Sequence, residues 1–523
     1  MTSYEFSSQI KVMIDELKAL CASVGLNNTG NEYKVISELF AYKFLSDKIN
    51  FMKKQNDYDS WEEFLFYLDE KTAKMEENET VEALFNQQNQ INFHEILDST
   101  LVSISDRNKE VYAIETAGGQ LKGLFDPISP YIMDTDKKIG FARGAINVLA
   151  QADFQGMFDE KFDYFAVIFE YLIKDYNSNS GAYAEFYTPS FTADIIAQLL
   201  LDNNNPNNVR CYDPAAGSGT LLMHLAHLIG EDKCSVYGQD ISQKSTEFLR
   251  INLILNGLIH SLHNIIQGNT ISEPSHIDEG HLMKFDYVVS NPPFKTDFSN
   301  IVSSLNADSN NRFFAGIPKV PAKQKDKMPI YLVFIQHILA SLNDNGKAAI
   351  VVPTGFCTNS EAGIASKVRE YIVDNNYLRG VIHMPANIFA NTGTSVSILF
   401  IDKNKKDERV ILMNASELGE DRKVDGYQKR ELSVEERHTI INTFLNRIEI
   451  DKFSVVINLD EIIKNNYMIK AGQYFSQTFA ETPINYNERM EELTNDLSLL
   501  FKNSKELEDK IKKYSEVLGY EIQ

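Results

Sequence analysis

The stretch Val209-Arg210-Cys211-Tyr212-Asp213-Pro214-Ala215-Ala216-Gly217-Ser218-Gly219-Thr220, running into the apolar helical segment 221–228, constrains this chain more than any other. It reads as a strand, a tight loop of small residues and a helix. Gly, Ala and Ser let a ligand approach the backbone closely. In a doubly wound α/β sheet, the first crossover loop of this kind is where a nucleotide-like molecule sits. The loop lacks the spacing G-x-G-x-x-G, and no Lys follows Gly219. Neither the dinucleotide fingerprint nor the phosphate loop is therefore present.

Further strand-like runs follow. Residues 235–240 end in Asp240, residues 265–267 lead into Gly268-Asn269-Thr270, and residues 285–290 lead into Asn291-Pro292-Pro293-Phe294. Residues 346–353, 381–385 and 394–401 read as additional buried strands, while 331–342 and 361–375 have helical spacing. This alternation predicts a parallel core sheet with helices on both faces.

Asn291-Pro292-Pro293-Phe294 carries the most specific chemistry. The Asn291 side-chain oxygen and the Pro292 carbonyl can each accept a hydrogen bond from an NH2 group, which draws the nitrogen lone pair out of conjugation. Proline fixes φ and removes a backbone donor, so those carbonyls face no competing N–H. Phe294 offers a face on which an extruded base can stack. The same tetrapeptide also satisfies a plain strand-ending turn with Phe294 in the core. Asp240, at the end of its strand, can accept from two ribose hydroxyls; capping the helix that begins near Gln243 is the alternative. Upstream, Glu185-Phe186-Tyr187-Thr188-Pro189-Ser190 precedes a helix at 192–201, where Thr188 or Ser190 can cap and Pro189 suits an early helical position.

The four segments, in this order, resemble the modification (methyltransferase) subunit of Type I restriction-modification systems, an N6-adenine DNA methyltransferase family. The resemblance covers roughly residues 151–403. It implies a class I S-adenosylmethionine-dependent methyltransferase fold, a Rossmann-like doubly wound sheet with an antiparallel hairpin at one edge. A helical N-terminal domain and a C-terminal coiled-coil-like helix would flank it. The cofactor implied is S-adenosylmethionine, held by Glu185, Phe186, Tyr187, Thr188, Pro189 and Ser190, by Asp213, Ala215, Gly217, Ser218, Gly219 and Thr220, and by Asp240 and Asn269. Asp213 would orient the methionine part, and Asn269 stands beside the adenine where many relatives carry Asp. Ala184 and Ser190 also depart from the common pattern. Asn291, Pro292, Pro293 and Phe294 would be catalytic on a target adenine flipped out of double-stranded DNA. Asn391-Thr392-Gly393-Thr394 is similar to the family's loop near that base. Partners implied are a specificity subunit, a second copy of this subunit and, in some assemblies, a restriction subunit.

Composition agrees with a multidomain chain and raises one conflict. The 523 residues are 43% hydrophobic, ample for a core, and the implied division is 1–150, 151–480 and 481–523. No run approaches the ~18 continuous apolar residues of a membrane span. The N-terminus shows no signal peptide. Cys21, Cys211, Cys234 and Cys357 are too scattered for a metal pattern, so no metal is expected, and a reducing cytoplasm fits. The net charge of −22, from 51 basic and 73 acidic residues, is the wrong sign for a solitary DNA-binding protein. A partner must then supply most phosphate contacts, or the substrate is not nucleic acid. Lys319, Lys323, Lys325 and Lys327, close to Arg312-Phe313-Phe314, form the one basic cluster singled out. The segment 306–328 reads as a mobile loop, either simply solvated or a flap on target-strand phosphate.

The ends are helical. Residues 6–22 and 32–54 are amphipathic, with Val35, Leu39, Tyr42, Phe44 and Ile49 suggesting an apolar stripe, and a further helix is expected at 137–151. At the other end Met490, Leu493, Leu497, Leu500, Ser504, Leu507, Ile511, Tyr514 and Leu518 alternate three and four apart, a heptad seam. It can pack on its own domain or dock on a partner, which in the resembled family is the specificity subunit. Alternative readings are an amino-group methyltransferase acting on RNA or protein, and an assembly subunit that has lost activity.

Overall fold

The computed structural model describes residues 3–27, 30–55, 58–69, 72–115, 121–155, 158, 188–358, 363–389, 395–424, 427–475 and 486–517. A nine-stranded sheet organises the centre. Its strands are β1 (Val209–Asp213), β2 (Cys234–Asp240), β3 (Ile265–Gln267), β4 (Phe285–Ser290), β5 (Leu342–Pro353), β6 (Leu378–His383), β7 (Val396–Asp402), β8 (Arg409–Asn414) and β9 (Ser454–Asn458). They lie in the order β3-β2-β1-β4-β5-β7-β6-β8-β9. β1 pairs in parallel with β2 and β4, β2 with β3, and β4 with β5. β7 runs antiparallel to both β5 and β6.

The strands expected from sequence form at or within a few residues of their expected positions, because the central ones are buried on both faces and read as continuous apolar runs. All six residues of β6 are buried, as are the last four of β4. The antiparallel hairpin does not lie at the edge. β8 pairs with β6 in parallel and β9 closes the sheet beyond it, two strands absent from the sequence reading. β5 begins four residues before the expected 346, and Gly346 sits inside it, where an added Cβ would lie 2.9 Å from the Phe285 carbonyl, beside a register shift between β4 and β5.

Chain order places β2 and β3 on one side of β1, whereas β4 lies on the other. Such a switch opens a crevice at the carboxyl ends of β1 and β4, the position where doubly wound sheets bind ligands. Helices Ser190–Leu201 and Thr220–Ile229 pack on one another beside it.

The N-terminal region is helical, with Ser3–Ser23, Gly30–Gln55, Phe93–Arg107 and Thr135–Gln151 as its long elements. Gly30–Gln55 was expected to show one apolar stripe, yet residues 35–47 are all buried. Neighbouring elements enclose it, and its polar residues are paired inside, as with Lys43 and Asp47 at 2.8 Å. This layer also contacts the helix Gln243–Leu255: Lys244 Nζ lies 3.7 Å from the centre of the Tyr33 ring, and Arg250 donates to the Tyr112 carbonyl. Met1–Tyr474 form one compact unit and Phe475–Gln523 a second, which contains the helix Tyr486–Val517. Among the described residues no helix is long and apolar enough to cross a membrane.

Candidate active site

Asp213 ends β1 and is only 2% exposed. Its Oδ1 accepts from the Ala215 N–H at 2.9 Å and from the Ser290 hydroxyl at 2.8 Å. Burial pushes the Asp213 carboxyl up to about 7, against those two bonds and with a further push from the charge of Asp240. Ser290 is the last residue of β4, directly before Asn291. The glycine-loop strand and the tetrapeptide strand are thus joined through side chains at their carboxyl ends.

The loop after β1 is shaped by its glycines. Gly217 and Gly219 have φ of +54° and +86°, in the left-handed region that favours glycine. A Cβ on Gly219 would also lie 2.1 Å from Leu249 Cδ1, so any larger residue there must displace the Leu249 side chain of the helix Gln243–Leu255. The Ser218 carbonyl accepts from Asn252 Nδ2 at 3.1 Å, and Thr220 begins the following helix.

Asp240 ends β2. Its Oδ2 accepts from the Gly217 N–H at 2.9 Å and its Oδ1 from the Ser242 N–H at 2.8 Å. The capping role falls to Ser242, whose hydroxyl accepts from the Ser245 N–H. Burial raises the Asp240 carboxyl above its usual range and the two backbone N–H groups pull it back. A carboxylate offers about four acceptor positions, so two remain open. Asn269 is committed differently: its Oδ1 accepts from the Ile271 and Ser272 N–H groups and closes a turn after β3.

Glu185, Phe186 and Tyr187 lie outside the described residues, as does the 391–394 loop. Thr188, Pro189 and Ser190 are placed, and neither hydroxyl caps the helix. The helix starts at Ser190 with Pro189 as its N-cap residue and no side-chain cap. Ser190 Oγ instead lies 2.9 Å from His224 Nε2, while Thr188 Oγ1 accepts from Asn291 Nδ2 at 3.2 Å. One of the two amide N–H groups is engaged there, and among the described residues nothing donates to Asn291 Oδ1. Pro292 is buried and Pro293 half-buried. Phe294 is half-buried, edge-on to Tyr331 with 6.5 Å between ring centres, so it packs on the core and keeps part of its surface accessible.

The fold brings the tetrapeptide 291–294 beside the small-residue loop after β1, at the carboxyl ends of neighbouring strands. The family model for N-6 DNA methylases matches residues 160–482. The chain belongs to this N-6 DNA methylase family. Its similar curated proteins include the Type I restriction enzyme MpnII methylase subunit of Mycoplasma pneumoniae, 30% identical over 322 residues that cover 60% of this chain and 57% of that one. The match thus spans less than two thirds of that relative. The HindI methylase subunit of Haemophilus influenzae is 24% identical over 434 residues, 78% of this chain and 91% of the relative. The crystal structure of a type I restriction-modification methyltransferase subunit from Streptococcus thermophilus superposes with a TM-score of 0.68 at 21% identity, covering 91% of this chain and all of that one. The fold is that of this methyltransferase subunit.

The residues present fit the cofactor of this N-6 DNA methylase fold. Two positive-φ glycines, the buried acid at the end of β1 and an acid with spare acceptor positions at the end of β2 surround one crevice. When bound, S-adenosylmethionine supplies an electrophilic methyl group.

Two residues that organise the site were not singled out in the sequence. Ser290 could have been noticed as the hydroxyl next to Asn291, but nothing in the sequence pairs it with Asp213. His224 lies half-buried within an apolar helical run and gives no signal. Arg312 is a correction. It is 2% exposed and bonded to Asp308, Thr270, Ile271 and His337, so it is not a phosphate contact. Lys319, Lys323, Lys325 and Lys327 are exposed, and half-exposed Phe314 lies against Tyr371 with ring centres 4.1 Å apart.

Proposed function

We propose that this chain is the site-specific DNA adenine-N6 methyltransferase subunit of a Type I restriction-modification system, using S-adenosylmethionine and working in the cytoplasm. The observation that carries the reading is the Asn291–Thr188 bond, which turns the amide nitrogen away and keeps Oδ1 for an incoming amine. Asn291 Oδ1 and the Pro292 carbonyl accept the two hydrogens of adenine N6, so the nitrogen lone pair leaves conjugation and becomes nucleophilic. Phe294 holds the flipped base by its face. The nitrogen gains the methyl and gives up one proton to solvent. Positioning supplies most of the acceleration, and flipping the base costs a few kcal/mol.

The −22 net charge supports a division of labour in which a specificity subunit reads the DNA sequence and supplies most phosphate contacts. Exposed Met490, Leu493, Leu497, Leu500, Leu507, Ile511 and Tyr514 on the helix Tyr486–Val517 are its docking candidates; Leu518 lies outside the described residues. Leu499 and Phe501 are exposed as well and widen the seam to a band. The four exposed lysines of 319–327 belong near the target-strand backbone. A second copy of this chain and a restriction subunit complete the assembly, with residues 1–150, 151–480 and 481–523 as its helical, methylating and docking parts.

Labelled methyl transfer to adenine-containing duplex, with and without the co-expressed specificity subunit, tests this. Label in N6-methyladenine at one sequence, dependent on the partner, is expected. Label in RNA or protein instead would overturn it.

A further inference from the structure

Arg312 is a buried guanidinium with every donor committed. Nε and Nη2 donate to Asp308 Oδ1 at 2.9 and 2.8 Å, Nη2 also to the Ile271 carbonyl at 2.8 Å, and Nη1 to the Thr270 carbonyl and to His337 Nδ1, both at 3.2 Å. A guanidinium has five N–H groups and no acceptor, so all five are used. His337 Nδ1 must then accept, which leaves its proton on Nε2, 3.1 Å from the Tyr212 hydroxyl. Tyr212 immediately precedes Asp213.

These bonds tie together pieces of chain that the sequence keeps apart. Thr270 and Ile271 belong to the turn after β3 that Asn269 closes, and the Thr270 hydroxyl donates to the Pro214 carbonyl at 2.7 Å. Asp308 and Arg312 open the segment 308–316, which follows the catalytic tetrapeptide. Its far end is gripped by Gln336, which accepts from the Ala315 N–H at 2.8 Å and donates to the Gly316 carbonyl at 3.0 Å. Gln336 and His337 share the helix Tyr331–Ser341 with Tyr331, the residue against Phe294.

We propose that Arg312 is the positioning residue through which the cofactor loop and the turn after β3 set the placement of segment 308–316 behind the target-base site. The proposal rests on the function proposed above, with Asn269 and its turn at the adenine end of the cofactor. Binding the cofactor orders the turn 269–271, and Arg312 passes that order to the segment flanking the flipped base. A Lys cannot substitute, because three donors on one nitrogen cannot span four partners.

Hydrogen–deuterium exchange on the full-length chain, with and without S-adenosylmethionine, tests the coupling. In the wild type the cofactor is expected to slow exchange in peptides covering 213–220 and also 308–316. In Arg312→Lys the first effect should persist and the second vanish. The kcat of methyl transfer by the assembled enzyme should fall about 10- to 100-fold, with a much smaller change in the cofactor KM. Asp308→Asn, which removes the charge facing the guanidinium and the Oδ2 acceptor of the Arg312 N–H but leaves Thr270 and Ile271 as partners, should show the same loss in milder form. A wild type whose segment 308–316 does not respond to cofactor overturns the proposal, even if Arg312→Lys fails to fold. A folded Arg312→Lys that keeps both responses overturns it too. Cofactor binding and adenine methylation without coupling would remove this inference alone, whereas coupling without methyl transfer to adenine would remove the proposed function alone.

Discussion

Ser290 donates to Asp213 at 2.8 Å, and this single bond joins the strand end that carries the tetrapeptide 291–294 to the strand end that carries the small-residue loop. Asp213 is therefore oriented from the end of β4, and burial raises its carboxyl pKa.

A pH dependence follows for cofactor binding. With Asp213 at about 7 in the free protein, binding a cationic amino acid moiety below that pH must first expel a proton. Affinity should rise with pH up to about 7 and level off above it, and Asp213→Asn should flatten the profile and weaken binding throughout. Calorimetric titration from pH 5.5 to 8.5 measures both. The sign for stability is opposite. The folded state holds a proton that the unfolded chain has already released between about 3.8 and 7, so stability falls as pH rises through that window. Asp213→Asn, which can still accept from Ala215 and Ser290, should raise the melting temperature by a few degrees at pH 8 and less at pH 5.

Asn291→Ala should cut methyl transfer about 100- to 1,000-fold, by analogy with removal of one preorganised hydrogen-bonding group. Cofactor affinity should hardly change. Thr188→Val tests the orientation of that amide alone. It should lower kcat about tenfold while the protein stays folded, because Asn291 can then rotate. Equal turnover in Thr188→Val and wild type would show that the bond does not orient the amide.

Asp240→Ala removes the proposed ribose acceptor and strands the Gly217 and Ser242 N–H groups. Cofactor binding should weaken by about 1.5–3 kcal/mol, the range for bonds to a charged group. An unchanged dissociation constant would reduce Asp240 to a loop tie.

Gly219→Ala combines a positive φ with a Cβ 2.1 Å from Leu249 Cδ1. Destabilisation of about 1–3 kcal/mol is expected in chemical denaturation. Adding Leu249→Ala should not restore the stability, since the φ strain remains and a cavity opens.

Deleting residues 486–523 should leave a folded chain that binds cofactor but no longer co-purifies with the specificity subunit or methylates plasmid DNA at a defined site. The intact subunit alone should already bind duplex DNA poorly at physiological salt. Normal site-specific methylation by the truncated chain would move the docking role to the N-terminal helices.

The sequence by itself determined the sheet's central strands, the small-residue loop and the tetrapeptide, because each depends on local chemistry: apolar runs buried on both faces, φ values that only glycine tolerates, and prolines at a strand end. It also determined the order of the motifs, which carries the family. Tertiary structure alone decided the hydroxyl partners. Thr188 and Ser190 look like helix caps in a one-dimensional reading, yet Asn291 and His224 claim them across 103 and 34 residues of chain. Arg312 looks like a surface cation in a basic loop and is instead enclosed by four partners that only folding gathers. Strand β8 and the edge strand β9 were decided in the same way. Hydrogen bonding and burial across distant segments leave no periodic trace in the chain, so the local pattern shows which residues are suited to chemistry and the fold determines which of them meet.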